Sequence, residues 1–190
     1  MKREAVPDYG ATEDECRAYF SACAALRENG GHVDLLRGQH YRKRAQFFAL
    51  YDDVRALPPN TAWTKLREMH DWFLSQIQEN SDLVSLCKTG AEVDAAAAQH
   101  RTAALLSVEG ADLLDCALDH LETVASWGVR LINPVWNNAN VLSGSCADEP
   151  DRGLSVYGRE FVAKMYEYGI FADAVSYTHL RAHETGRNLV

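Results

Sequence analysis

The chain has 190 residues, 47% of them hydrophobic, and a formal net charge of −8. That apolar content suffices for a packed core and excludes a disordered polypeptide, while the acidic balance argues against non-specific nucleic-acid binding, whose footprint is clustered positive charge. No run of residues is long and apolar enough to span a bilayer and the N-terminus lacks an apolar signal core, so no membrane partner is expected and the expected location is the cytoplasm.

In chain order, Thr12 followed by Glu-Asp-Glu signals a helix start, with apolar positions continuing to about Leu26. The one basic cluster, RGQHYRKR at 37–44, reads as a solvated loop ahead of a buried strand, AQFFALY at 45–51. After PPN, the helical spacing of Trp63, Leu66, Met69, Trp72, Phe73 and Ile77 predicts an amphipathic helix over 61–78 with its aromatics in the core. DLVSLC at 82–87 is strand-like, and TGAE from Thr89 forms a capping box for an alanine-rich helix. TAALLSVEG at 102–110 is a strongly apolar strand. A helix over 113–126, the strand GVRLIN, a polar loop from Pro134, a helix over 154–169 and a last strand IFAD follow. Strands alternating with helices predict parallel β/α units, hence the α/β class, with no internal repeat and no linker that splits the chain.

In such folds functional residues sit where strands end. This singles out Glu109, Asn133 and Asp173, each at the carboxyl end of a predicted strand. Glu109 is the most unusual, because a carboxylate directly after AALLSV is costly unless it meets a metal or a cation; a salt bridge or a helix cap is the other reading. The five cysteines, Cys16, Cys23, Cys87, Cys116 and Cys146, have no C-x-x-C spacing and read as free, mostly buried thiols. His179 and His183, four apart with Glu184 alongside, would face one way on a helix and could grip zinc. The zinc-protease signature H-E-x-x-H is nevertheless absent, since Leu180 stands where its glutamate belongs.

Several segments, taken in order, carry a resemblance: LRENGGHVDLLRG with AQFFALY, then ALLSVEGAD, LETVASWGVRLINPVWNNANVLSGS and RGLSVYGREFVAKMYEYGIFAD, together covering about residues 26 to 173. The set resembles the membrane dipeptidase (renal dipeptidase) family of zinc metallopeptidases, in its bacterial branch. The resemblance implies a (β/α)8 TIM barrel of the metallo-dependent hydrolase type, here roughly its first half, with two zinc ions bridged by a glutamate and hydrolysis of dipeptides through zinc-bound hydroxide. Residue by residue, it implies that Glu109 is the bridging metal ligand and that Trp136 and Asn137 lie on the substrate loop. Trp136 stands where the renal enzymes carry a substrate-contacting histidine, and Asn137 and Asn140 are expected to shape the loop. Asp173 matches the aspartate of the family's D-V-S-H, next to a zinc-ligating histidine, and so supports the metal shell from outside. No further catalytic residue is assigned.

Two departures qualify the match. The family opens with an H-x-D strand that supplies two metal ligands, and Gly10, Ala11 and Thr12 occupy its place; His32 and Asp34 belong to a separate family segment, N-x-G-H-x-D-L, and are rejected as ligands. The second is VSYTHLRAHETGRNLV, residues 175–190, which resembles a translated transposase sequencing adapter rather than protein sequence. The expected organisation is therefore residues 1–174 as the N-terminal part of a single dipeptidase barrel domain, and 175–190 as a non-native tail whose histidines are not ligands. A zinc-dependent dipeptidase is expected of the full-length parent, with the 190-residue chain itself inactive. The alternative is a non-catalytic binding or scaffold protein on the same barrel that has lost its H-x-D ligands. A serine hydrolase is disfavoured because no G-x-S-x-G occurs. Besides a dipeptide substrate, the expected partner is a second copy of the chain in a homodimer, since a barrel stopped half-way leaves open strand edges.

Overall fold

The computed structural model describes residues 12, 14, 15, 18 and 25–174, and from residue 25 onward the described residues form five strands and four α-helices. They are β1 (Ala45–Leu50), α1 (Ala62–Glu79), β2 (Val84–Leu86), α2 (Gly90–Ala98), β3 (Thr102–Glu109), α3 (Leu118–Trp127), β4 (Val129–Asn133), α4 (Val156–Glu167) and β5 (Phe171–Ala172). The pairs β2–β3, β3–β4 and β4–β5 are all parallel. This is the α/β class, with the alternation expected of part of a (β/α)8 barrel.

The described residues group into two compact units. One holds the described residues up to Gln46 together with Trp72–Ala104; the other holds Phe47–Asp71 and the described residues from Leu105 onward. In the first, Val84, Ser85 and Leu86 of β2 lie opposite Thr102, Ala103 and Ala104. Leu35, Phe73, Ile77, Val84, Cys87 and Ala96 are buried there. In the second, the strand order is β1-β3-β4-β5. Its buried residues include Leu106, Val108, Leu121, Val124, Ile132, Phe161, Met165 and Ile170. β3 is the most continuously buried strand, with only Leu105 and Glu109 short of full burial. A near-continuous apolar strand is what burial on both faces requires.

Local chemistry explains the helix ends. The predicted capping box of α2 is present: Thr89 Oγ1 accepts from the Glu92 N–H at 3.2 Å, and Glu92 Oε2 accepts from the Thr89 N–H at 3.0 Å. Thr12 and Glu15 make the same reciprocal pair, which supports the helix start read there; the rest of that helix, with Gly10, Ala11, Cys16 and Cys23, lies outside the described residues, as does everything after Ala174. Ser155 Oγ caps α4 by accepting the Gly158 N–H at 2.9 Å. α3 ends on Gly128, whose φ of +102° a side chain would strain.

Three expectations change. The helix predicted over 113–126 starts only at Leu118, because a 3-10 turn (Ala111–Leu114) precedes it and Asp115 and Cys116 take left-handed φ of 52° and 50°. That turn buries Ala111, Leu113 and Leu114 together, which a continuous helix would spread around its surface. Trp72, predicted as core, is 55% exposed. The buried stripe of α1 runs through Leu66, His70, Phe73 and Ile77, and one residue of helix turns Trp72 about 100° away from it. The basic run at 37–44 is not merely solvated, since Arg37 pairs with buried Asp34, Arg44 donates to the Asp34 carbonyl at 2.9 Å and Lys43 pairs with Asp94. The strand after it, β1, is buried only at Leu50, with Ala45, Phe47 and Ala49 exposed on alternate positions.

Two glycines test this packing. A Cβ on Gly158 would lie 2.1 Å from the Leu142 carbonyl oxygen, whereas one on Gly90, at the start of α2, meets nothing within 4 Å. Gly158→Ala should destabilise the fold by about 1–3 kcal/mol in urea unfolding, while Gly90→Ala should be neutral or stabilise it by up to about 1 kcal/mol.

Candidate functional site

The parallel register of the second unit lines up the three strand-end candidates. Glu109 pairs with Asn133 across β3 and β4, and Ile132 pairs with Ala172 across β4 and β5. Asp173 follows, donating its backbone N–H to the Ile132 carbonyl at 2.8 Å. Glu109, Asn133 and Asp173 thus form a row along the carboxyl edge of three adjacent strands, where α/β folds assemble their ligand sites.

Glu109 opens onto a cleft of about 90 Å³. The segment after β1 contributes Tyr51, Asp52, Asp53 and Arg55, the turn after β3 contributes Asp112, and the loop after β4 contributes Trp136 and Asn138. Asp53 is placed by its own capping bond, accepting the Arg55 N–H at 3.1 Å. Gly110 lets the chain turn away directly behind Glu109, with a φ of +93° that a side chain would strain. The Glu109 carboxylate is half-buried and makes no hydrogen bond or ion pair with another described residue. Among the described residues neither a salt bridge nor a helix cap accounts for it.

Two neighbouring groups feel this environment. Burial pushes the Asp112 carboxyl above its ordinary range, against the hydrogen bond donated by Asn140 Nδ2 at 3.0 Å. Burial also raises the Tyr51 phenol, helped by the charges of Asp53, Glu109 and Asp52. The Tyr51 ring lies 4.5 Å from that of Trp136, so two aromatics wall the cleft beside its carboxylates.

The loop carrying Trp136 is held by its own polar groups. Asn140 Nδ2 also donates to the Pro134 carbonyl at 2.8 Å, while its Oδ1 accepts from the Leu142 and Ser143 N–H groups. Arg152 donates to the carbonyls of Asn140 and Ser143, and Ser145 Oγ donates to that of Asn137. Asp148 accepts the Ala139 N–H at 3.1 Å and lies 3.3 Å from the Arg55 guanidinium. Asn140 is thus the loop-shaping residue. Asn137 is exposed and does not line the cleft; its neighbour Asn138 does.

Tyr51, Asp52, Asp53 and Asp112 were not singled out from the sequence. The signal existed, since YDD ends a strand-like run just as Glu109 does. Asp34, rejected as a ligand, is occupied structurally: burial would raise its carboxyl, but the Arg37 N–H and guanidinium and the Asn29 N–H outweigh that and hold it low. Cys87 and Cys116 are buried and Cys146 is exposed. Burial, with Asp112 and Asp115 nearby, pushes the Cys116 thiol up and leaves it inert.

As a metal centre the arrangement is partial. The Glu109 carboxylate has the chemistry of a single ligand, but among the described residues no group of three or more His, Cys, Asp and Glu side chains could hold an ion. A zinc site needs several protein donors at once. The described residues do not complete one, and His179 and His183 lie outside them.

Residues 13–184 match the sequence profile of the family described as membrane dipeptidase (peptidase family M19). An uncharacterised dipeptidase of Schizosaccharomyces pombe is 31% identical over 183 residues, which cover 83% of this chain and 41% of that protein. Among solved structures, dipeptidase AC, a metallopeptidase of family M19, is 25% identical with a TM-score of 0.69, over 84% of this chain and 52% of its own. A metallopeptidase from Rhodobacter sphaeroides, bound to a phosphinate mimic of the dipeptide L-Ala-D-Ala, shares the fold at 20% identity and a TM-score of 0.66, over 84% of this chain and 54% of its own. The chain thus spans about two fifths of the length of this fission-yeast relative and about half that of these structures.

The raised Asp112 carboxyl makes a signed prediction. Its ionised form is penalised in the folded state, so the stability it contributes is present below the unfolded value and is lost as pH rises through the folded one. Asp112→Asn keeps an acceptor for Asn140 and removes the charge. The variant should be more stable than the parent chain at pH 7 in urea unfolding, with the advantage shrinking as pH falls toward 4; an advantage independent of pH would contradict the burial assignment.

Proposed function

The chain belongs to the membrane dipeptidase family, peptidase family M19, and from that membership we propose that it forms part of a zinc-dependent dipeptidase whose hydrolytic centre stands at the carboxyl ends of β3, β4 and β5. The observation that carries this reading is Glu109: half-buried, without a partner among the described residues, and in register with Asn133. Glu109 is the residue that would hold metal. In such centres zinc supplies Lewis-acid polarisation of a carbonyl and acidification of a water. Gly110 keeps the backbone clear behind the carboxylate, and the Asn140 network presents Trp136 at the cleft. Asp173, in line with Glu109 and Asn133, would steady the edge next to the metal.

A peptide substrate is supported by the family and by the dipeptide mimic bound to the Rhodobacter sphaeroides relative. One ligand among the described residues does not make a dinuclear centre, so the 190-residue chain by itself should bind zinc weakly and leave dipeptides uncleaved. A second reading, a non-catalytic binding protein on the same fold, is favoured by one observation: Thr12, where the family's H-x-D ligands would fall, caps a helix with Glu15.

Incubation of the purified chain with added zinc and Gly-D-Ala or Ala-Ala, followed by amino-acid release, tests the expectation of inactivity. No release above background is expected. Turnover that Glu109→Gln abolishes would overturn the inactivity while establishing the chemistry, and turnover indifferent to Glu109→Gln would remove Glu109 from the site.

A further inference from the structure

Asp115 and Cys116, which end the 3-10 turn behind Glu109, both take left-handed φ, 52° and 50°. Residues with a Cβ seldom adopt that region, and two in succession persist only where the surroundings over-determine them. Backbone bonds close the turn on itself, the Asp115 N–H donating to the Asp112 carbonyl at 2.9 Å and the Cys116 N–H to that of Ala111 at 3.0 Å. From α3, His120 Nδ1 lies 2.9 Å from the Leu114 carbonyl. The left-handed pair itself is tied to the first turn of α4: the Tyr157 hydroxyl donates to the Cys116 carbonyl at 2.9 Å, across 41 positions of the chain. Cys116 is buried, so a carbonyl there depends on donors from the protein.

The start of α4 also grips the loop after β4. Ser155 donates its N–H to the Leu142 carbonyl and its Oγ to the Val141 carbonyl, both at 2.8 Å. The Leu142 N–H in turn donates to Asn140 Oδ1 at 2.9 Å, and Asn140 Nδ2 donates to Asp112 at 3.0 Å. From Asp112 the turn leads back to Cys116 and so to Tyr157. The contacts therefore close a ring, from α4 to the loop, from the loop to the turn, and from the turn back to α4. Asn140, which shapes the loop bearing Trp136, is a member of that ring. Tyr157 does not line the cleft. Its ring is partly exposed, so phenylalanine would fill the same space and remove only the hydroxyl.

We propose that Tyr157 is a positioning residue for the candidate site: its hydroxyl fixes the left-handed turn so that Asp112 meets Asn140, and through Asn140 it fixes the loop that presents Trp136. That this positioning serves hydrolysis rests on the proposed function. The coupling itself does not, and the two fail separately, because dipeptide turnover decides the first and side-chain NMR the second. Position 115 is informative because it is exposed and left-handed. Glycine adopts positive φ without steric cost. Asp115→Gly should therefore leave the turn less dependent on Tyr157.

The test is heteronuclear NMR of the 190-residue chain, following the Asn140 side-chain amide and the Trp136 indole N–H, with the Trp72 indole of the first unit as control. In Tyr157→Phe, with circular dichroism unchanged, the Asn140 amide protons should exchange with water about tenfold faster, the effect of one lost hydrogen bond on local opening. The Trp136 signal should shift while that of Trp72 stays. In an Asp115→Gly background the same substitution should change Asn140 exchange by no more than about twofold. A Tyr157→Phe chain that unfolds at lower urea yet keeps the parent's Asn140 and Trp136 signals would overturn the proposal and reduce Tyr157 to a stabilising contact. Equal effects with and without Asp115→Gly would overturn it as well. If Tyr157→Phe alone does not fold, recovery of the fold and of the Asn140 signal on adding Asp115→Gly upholds the proposal, and a double variant that stays unfolded sinks it.

Discussion

An ionisable side chain at the end of a strand buried on both faces is the constraint on which the site depends. β3 carries seven residues of apolar or small character into the interior and then places Glu109 where burial begins to fail. A carboxylate there cannot be fully solvated, and the described residues offer it no hydrogen bond or ion pair. The surrounding chain accommodates rather than neutralises it. Gly110 turns the backbone aside, the 3-10 turn behind it buries Ala111, Leu113 and Leu114, and Asp112 is left close by with its own charge penalised.

The loop after β4 shows how precision can be had without regular structure. Its backbone makes few ladder bonds, and the work falls to side chains: Asn140 bridges Asp112, Pro134, Leu142 and Ser143, while Arg152 takes the Asn140 and Ser143 carbonyls and Ser145 that of Asn137. Gly144 and Gly158 are placed where backbone oxygens leave no room for a Cβ. The consequence for function is that Trp136 meets Tyr51 at a defined distance, and the aromatic wall of the cleft is a property of the loop's hydrogen bonding as much as of the two rings.

Within the second unit, a run of rings joins α1 to α3. Trp63 stacks on His120 at 3.8 Å and on Trp127 at 5.5 Å, and Trp127 stacks on His70 at 4.2 Å, all within 11° of parallel. The helical period of α1 showed that Leu66, Phe73 and Ile77 face inward, because apolar spacing records which side of a helix avoids water. It placed Trp72 with them wrongly, since a large aromatic side chain counts as apolar in a pattern whether or not a neighbour covers it. His70, absent from that reading, is buried through contact with a tryptophan 57 positions away, as the numbering of the pair shows. No local pattern records such a contact.

Local chemistry was legible wherever its cause lies within a few residues. Alternating apolar runs announced the strands and helices, Thr89 and Glu92 announced the start of α2, and the position of Glu109 after an apolar strand announced an unusual carboxylate. The ordered segments likewise pointed to the family that residues 13–184 match. Only the tertiary structure decided that Glu109, Asn133 and Asp173 share one edge, that Asn138 rather than Asn137 lines the cleft, and that YDD from the end of β1 faces Trp136. Those facts depend on strand register and loop closure between residues distant in the chain. A sequence specifies such juxtapositions through the whole set of packing and hydrogen-bonding contacts at once, so they become visible only when the chain is folded.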